Sequence, residues 1–176
     1  MVKKDILRTY NLMNGNKFSK IIGCYYSPGV HAIVIFRFGK WLKRRNILLR
    51  VFLEPIYALL YHRVHSKWGI EIPRAAEIGE GFYIGHSGGI TISESAKFGK
   101  NVTISQQVTI GVSGQGEKRG VPVIGDNVYI APGAKIFGKI KIGNNVKIGA
   151  NAVIYKDVPD NATVVLEPGF TILSLK

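Results

Sequence analysis

Cysteine is almost absent from this chain. Cys24 stands alone among 176 residues, which excludes an intrachain disulfide and fits a reducing compartment. Long apolar runs are missing too. Residues 29–36 and 55–61 are uncharged but fall far short of the ~20 residues a membrane-spanning helix requires. The first apolar residues are broken by Lys3, Lys4, Asp5 and Arg8, so no secretory leader is expected. Histidine is scarce and scattered: His31, His62 and His65 precede residue 70, and His86 is the only one after it. Catalytic zinc needs about three close ligands, so a metal site is not expected.

Acids are in short supply as well, at 11 against 24 Lys and Arg, for a net charge of +13. Residues 1–70 hold thirteen Lys and Arg against two acids, a net +11, whereas residues 71–176 hold eleven against nine, a net +2. The first segment therefore favours an anionic partner. No recognised reading motif or aromatic platform accompanies the charge, so nucleic acid is not expected.

What the chain has in abundance is a period of six. Ile72, Ile78, Ile84, Ile90, Ala96, Val102 and Val108 step by six, and the step resumes at Ile124, Ile130, Ile136, Ile142, Ile148 and Ile154. An amphipathic helix repeats near 3.6 and a strand at 2. A period of six fits a solenoid whose short strands each add one aliphatic side chain to an internal stack. Gly79, Gly85, Gly125, Gly143 and Gly149 follow stacked isoleucines, as tight corners favour. Ala75, Ser87, Ser93, Val128, Ala134 and Val146 are assigned to the small or aliphatic corner position. The handedness of the coil does not follow from the period.

The preceding segment reads as helical: a short helix near residues 5–13, one over 30–42, and one over 47–61 that Pro55 kinks or breaks. Asn14-Gly15 and Ser27-Pro28-Gly29 read as turns. Arg37, Lys40, Lys43, Arg44, Arg45 and Arg50 interleave with aliphatic and aromatic residues. Such a pattern suits either an interfacial membrane element over residues 28–67 or helices packed on a neighbour.

For chemistry, the candidate base is His86 in the glycine-rich run Ile84-Gly85-His86-Ser87-Gly88-Gly89, where an imidazole stays accessible and backbone N–H groups are exposed. Glu71, fifteen residues earlier, is expected one coil below, near enough to orient the ring. Residues 112–122 interrupt the stack and match no phosphate-loop pattern. Such an excursion is where function concentrates in a solenoid.

Residues 69–86, 108–114, 130–138, 148–154 and 156–165 are similar to corresponding stretches of the serine O-acetyltransferases. The resemblance implies a left-handed parallel β-helix of hexapeptide repeats, mainly β, preceded by an α-helical segment. It also implies a homotrimer with active sites between subunits, and acetyl-CoA as donor. His86 matches the catalytic base and Glu71 its paired acid. Gly111, Ser113, Gly114, Ala131, Pro132 and Ala150 match positions along the pantetheine arm, and Lys135 and Lys156 are assigned to the CoA phosphates. The segments are then 1–68 helical, 69–165 β-helix with the loop 112–122, and 166–176 a C-terminal tail.

Three departures stand out. Gly85-His86 replaces the Asp-His of the serine enzymes, Val121-Pro122 stands where they have Arg-His-Pro, and residues 166–170 lack their Val-Pro-Ala-Arg. The first two, with Glu at 71, look more like the branch that O-acetylates sugars in surface polysaccharide synthesis. The expectation is therefore an acetyl-CoA-dependent sugar O-acetyltransferase with a saccharide or lipid-linked acceptor. It would be cytoplasmic, at the inner face of the cell membrane. Serine O-acetyltransfer and a non-catalytic membrane-associated scaffold are the alternatives.

Overall fold

A computed structural model describes residues 1–167; the expected tail 166–176 therefore lies almost wholly outside the described residues. Four helices come first: α1 (Val2–Leu12), α2 (Lys17–Tyr26), α3 (Pro28–Lys43) and α4 (Ile47–Trp68). A left-handed parallel β-helix follows. Its first sheet stacks Ile70–Glu71, Ile90–Ile92, Thr109–Gly111, Lys135–Phe137 and Val153–Ile154. The second stacks Glu77–Ile78, Lys97–Phe98, Val123–Ile124 and Lys141–Ile142. The third stacks Tyr83–Ile84, Thr103–Ile104, Tyr129–Ile130, Lys147–Ile148 and Thr163–Val164.

Each strand is only two or three residues long, so the coils are held by what lies inside them. Ile84, Ile104, Ile130, Ile148 and Val164 lie in register, as do Ile78, Phe98, Ile124 and Ile142. The isoleucines among them are 0–4% exposed, and burying such a side chain is worth roughly 1.5–3 kcal/mol. Val102, Val128 and Val146 at one corner, and Val108, Ala134 and Ala152 at another, form a second inward set, also buried.

The existence of two inward sets corrects the sequence register. Ile70 pairs with Ile90 and Ile84 with Ile104, so the first coil takes twenty residues, whereas Thr91 pairs with Thr109 after eighteen. The two additional residues fall within residues 85–89. Stepping by six through Ile90, Ala96, Val102 and Val108 therefore leaves the stack of Ile84 and lands on the second inward set. The strand period is two, so a slip of two residues still meets aliphatic side chains, and the sequence pattern conceals it. Ala75 is exposed and Ser87 half-buried, so neither occupies the inward corner position assigned to it.

The corner glycines are required by close approach and not by backbone angle, for Gly79, Gly125 and Gly143 have no positive φ. A Cβ on Gly125 would lie 2.7 Å from the Gly143 carbonyl oxygen in the next coil. The left-handed corner positions are filled instead by Asn101, Asn127, Asn145 and Asn161. Their amides form a ladder with steps of 3.0–3.1 Å, and asparagine tolerates this conformation better than most residues.

The helices differ from the sequence reading in three places. Residues 17–26 form α2, capped by the Asn16 side chain on the Ser19 amide at 2.9 Å. Ser27-Pro28-Gly29 is not a turn but the start of α3: Ser27 caps it and Pro28 takes a first-turn position, where its missing N–H costs nothing. Pro55 does not end α4; packing of Tyr57 and Val64 against neighbours holds the helix through the one lost hydrogen bond. Gly69, in the left-handed conformation, closes α4 and turns the chain into the first strand.

Charged side chains dock the helices onto the β-helix. Asp5 and Arg37 form a buried ion pair at 2.9 Å, with side chains 0% and 4% exposed. Arg37 also donates to the carbonyls of Ile78 and Gly79, and Asp5 accepts from the Phe82 amide. Lys40 donates to the Ala76 carbonyl, and Arg8 to the carbonyls of Gly81 and Val102 and to Thr103 Oγ1. Burial pushes the Lys40 and Arg8 pKa values down. Arg37 and Lys40 therefore belong to an internal joint and are not lipid-facing, as a membrane role for all of residues 28–67 requires. Among the described residues no single helix is long and apolar enough to cross a membrane. The bent pair α2 and α3 meets that test only jointly, and α3 buries Ala32, Ile33, Phe36 and Leu42 against the β-helix and its neighbouring helices.

Candidate active site

His86 lies two residues beyond Ile84, the end of its third-sheet strand, and opens the widened corner that carries the two additional residues. Gly88 and Gly89 have φ of +108° and +65°, which only glycine adopts without strain. A Cβ on Gly88 would meet nothing within 4 Å, so the corner bulges into open space. The imidazole is exposed. The amides of His86, Ser87, Gly88 and Gly89 donate to no protein acceptor among the described residues, leaving four N–H groups beside one base.

Below this bulge the corner continues coil by coil. The Gln107 amide donates to the Gly88 carbonyl at 2.7 Å, Gly133 to Gln106 at 3.0 Å, and Asn151 to Pro132 at 2.9 Å. Ala131, Pro132 and Ala150 therefore stand in line beneath His86, along one edge of the first sheet. Gln106 Oε1 in this column is buried without a partner. Lys135 lies on the first sheet and donates to the Gln107 carbonyl.

Gly111, Ser113 and Gly114 stand on the other edge of the first sheet. Ser113 and Gly114, with Phe137, Gly138 and Tyr155, line a groove of about 500 Å³. The Phe137 ring packs on Gly111, where a Cβ would lie 2.8 Å away. Lys156 sits over Tyr155, its ammonium 5.6 Å from the ring centre. Residues 112–122 are a folded excursion: Ser113 and Gly120 exchange two backbone hydrogen bonds of 3.1 and 3.0 Å, and a 3₁₀ turn, Gly116–Lys118, fills the tip. One chain thus carries the sequence-predicted residues on two opposite edges and does not gather them into one pocket.

Glu71 pairs in register with Thr91 of the next coil, and among the described residues it forms no hydrogen bond with the imidazole. The fifteen-residue spacing assumed an eighteen-residue coil, whereas this one takes twenty. Glu71 instead lies near Tyr61 of α4. Burial, and secondarily the Glu71 charge, push the Tyr61 hydroxyl up to about 12. Sequence reasoning missed this contact with the helices. The exposed backbone N–H groups expected in the run around His86 are present, at residues 86–89. Gly85 has room for a side chain, since a Cβ there would lie no closer than 3.6 Å to any neighbour.

A family model described as bacterial transferase hexapeptide (six repeats) matches residues 122–156. The chain is 46% identical over 175 residues to a serine acetyltransferase of Bacillus pumilus, covering 98% of this chain and 76% of that protein. It is 41% identical over 155 residues to the Mycobacterium tuberculosis serine acetyltransferase, covering 87% and 63%. Its fold is similar to that of a Neisseria gonorrhoeae serine acetyltransferase crystallised with serine, with a TM-score of 0.74, 32% identity and coverage of 95% and 66%. The chain spans about six tenths of the length of several curated relatives. These likenesses overturn the expected sugar O-acetyltransferase: they fall on serine acetyltransferases, and they hold despite Gly85 and Val121. Two substituted positions at a corner and a loop weigh less than identity spread over the whole chain. The chain belongs to the hexapeptide-repeat acyltransferases, in the serine acetyltransferase family.

Proposed function

We propose that this protein transfers the acetyl group of acetyl-CoA to the hydroxyl of L-serine. The observation that carries the proposal is the 46% identity to a serine acetyltransferase over 98% of the chain. The exposed His86 at a corner rich in unpaired N–H groups supports it.

In this reading His86 takes the proton from the serine hydroxyl as its oxygen attacks the thioester carbonyl. The oxyanion that forms draws on backbone N–H donors of residues 87–89. Collapse breaks the carbon–sulfur bond, and the departing thiolate takes the proton back from His86. Glu71 supplies negative charge on the same edge of the first sheet.

The donor would lie along the column Ala131, Pro132 and Ala150, with Lys135 on that side and Lys156 of a second copy's facing edge available to its phosphates. The facing wall would be the Gly111, Ser113 and Gly114 edge of a second copy, which makes a homotrimer the working assembly. The separation of these two edges within one chain supports that arrangement.

The test is thiol release from acetyl-CoA with L-serine, D-serine and glycerol as acceptors. Release with L-serine alone is expected; equal release with glycerol would overturn the assignment. His86→Ala is expected to lower kcat by about 10³-fold, within the range for a lost general base, with the far-UV spectrum unchanged.

A further inference from the structure

The outer side of α4 carries an apolar stripe that the fold leaves uncovered. Leu48, Phe52, Ile56 and Leu59 recur at helical spacing and are 71, 75, 49 and 68% exposed. Ile47 and Val51 extend the stripe. Its far end is continued on the same face by Arg63. Its near end meets the α3–α4 elbow, where Arg44 and Arg45 are exposed and the Arg45 guanidinium lies 4.6 Å from the centre of the Trp41 ring. Beside the elbow is a cleft of about 600 Å³ lined in part by Lys40, Trp41, Arg44, Arg45 and Phe98.

The charge around the stripe selects what covers it. The helical segment has two acids, and both are committed: Asp5 to Arg37, and Glu54 to Arg50 and Arg74. Glu77, at the cleft wall, pairs with Lys97 at 3.4 Å. Lys43, Arg44, Arg45, Arg63 and Lys67 form no ion pair among the described residues. A second copy placed stripe to stripe would set one net +11 segment against another. An anionic bilayer accepts both features at once: phosphates meet the elbow cations, and acyl chains meet the stripe.

We infer that α4 and the α3–α4 elbow form a peripheral docking surface for an anionic lipid bilayer. Its apolar residues enter the interface and Arg44, Arg45 and Arg63 engage headgroup phosphates. The buried face of α3 takes no part in this surface, which is independent of the acceptor.

The full chain is floated with phosphatidylcholine vesicles, with and without phosphatidylglycerol, at low and raised salt. Flotation is expected only with phosphatidylglycerol and is expected to fall as salt rises. Arg44→Gln with Arg45→Gln should weaken partitioning about thirtyfold, taking about 1 kcal/mol per cation near a charged surface. Leu48→Ser with Phe52→Ser should weaken it by about tenfold or more. All four residues are exposed, and unchanged thermal midpoints would verify the fold. No flotation at low salt overturns the inference. So does a loss confined to the charge variant, which would mean surface attraction without insertion. A serine variant that lowers the sedimentation mass while flotation persists also overturns it, because a second copy would then cover the stripe.

Discussion

In the β-helix the inward positions are almost all Ile, Val or Ala, and each coil repeats the contacts of the one before. In the helical segment the contact with that solenoid is made by Asp5, Arg8, Arg37 and Lys40, each with partners found nowhere else in the molecule. One region spreads its stability over many interchangeable contacts. The other concentrates it in a buried ion pair whose worth depends on both members. An aliphatic stack tolerates local change because burial has no direction, whereas removing one partner of a buried pair leaves an uncompensated charge.

That contrast can be broken or sharpened by experiment. Arg37→Ala leaves Asp5 at 0% exposure without its ion-pair partner and is expected to cost about 3–5 kcal/mol. Its signature would be separated melting, with helical ellipticity lost before β-sheet signal; a single shifted transition would mean that the two regions unfold as one. Ile136→Ala, within the stack, is expected to cost about 2–4 kcal/mol, and chemical denaturation should show the loss in the β-helix transition. An equal effect of the two substitutions on helical signal would erase the distinction.

Smaller effects probe where the regions meet at the site. Gly85→Asp adds a Cβ that would lie no closer than 3.6 Å to any neighbour and places an acid beside His86. It is expected to lower the KM for L-serine by about tenfold through a charge-assisted hydrogen bond to the substrate ammonium, read by steady-state kinetics. The smallest expected effect is at Tyr61. Its folded pKa of about 12 lies above the ordinary value of 10, so its contribution to stability is whole below pH 10 and is lost as pH rises from 10 toward 12. Ultraviolet titration should resolve one late-ionising tyrosine. Glu71→Gln should move it partway back, since burial dominates the shift and the Glu71 charge adds to it.

Much of the fold was legible because a period of six leaves few alternatives, and His86 stood out as the one histidine after residue 70. The two-residue slip at residues 85–89 was not legible, because both inward sets are aliphatic. Helix α2 was hidden because its apolar residues face outward, with Phe18, Tyr25 and Tyr26 about 70% exposed, and so mark no buried stripe. The acceptor class turned on two substitutions that identity across the whole chain outweighs.

Composition and period alone determined that the chain builds a parallel solenoid, that its charge gathers in the first segment, and that one histidine is available to the solenoid's chemistry. These are properties of residue order, and any compact state of this sequence must satisfy them. Tertiary structure alone decided that Arg37 and Lys40 face inward, that Glu71 meets Tyr61, and that His86 and Gly111 lie on opposite edges of one sheet. Each depends on how many residues a coil consumes and on which buried charge finds a partner, and both are set by contacts between residues far apart in the chain.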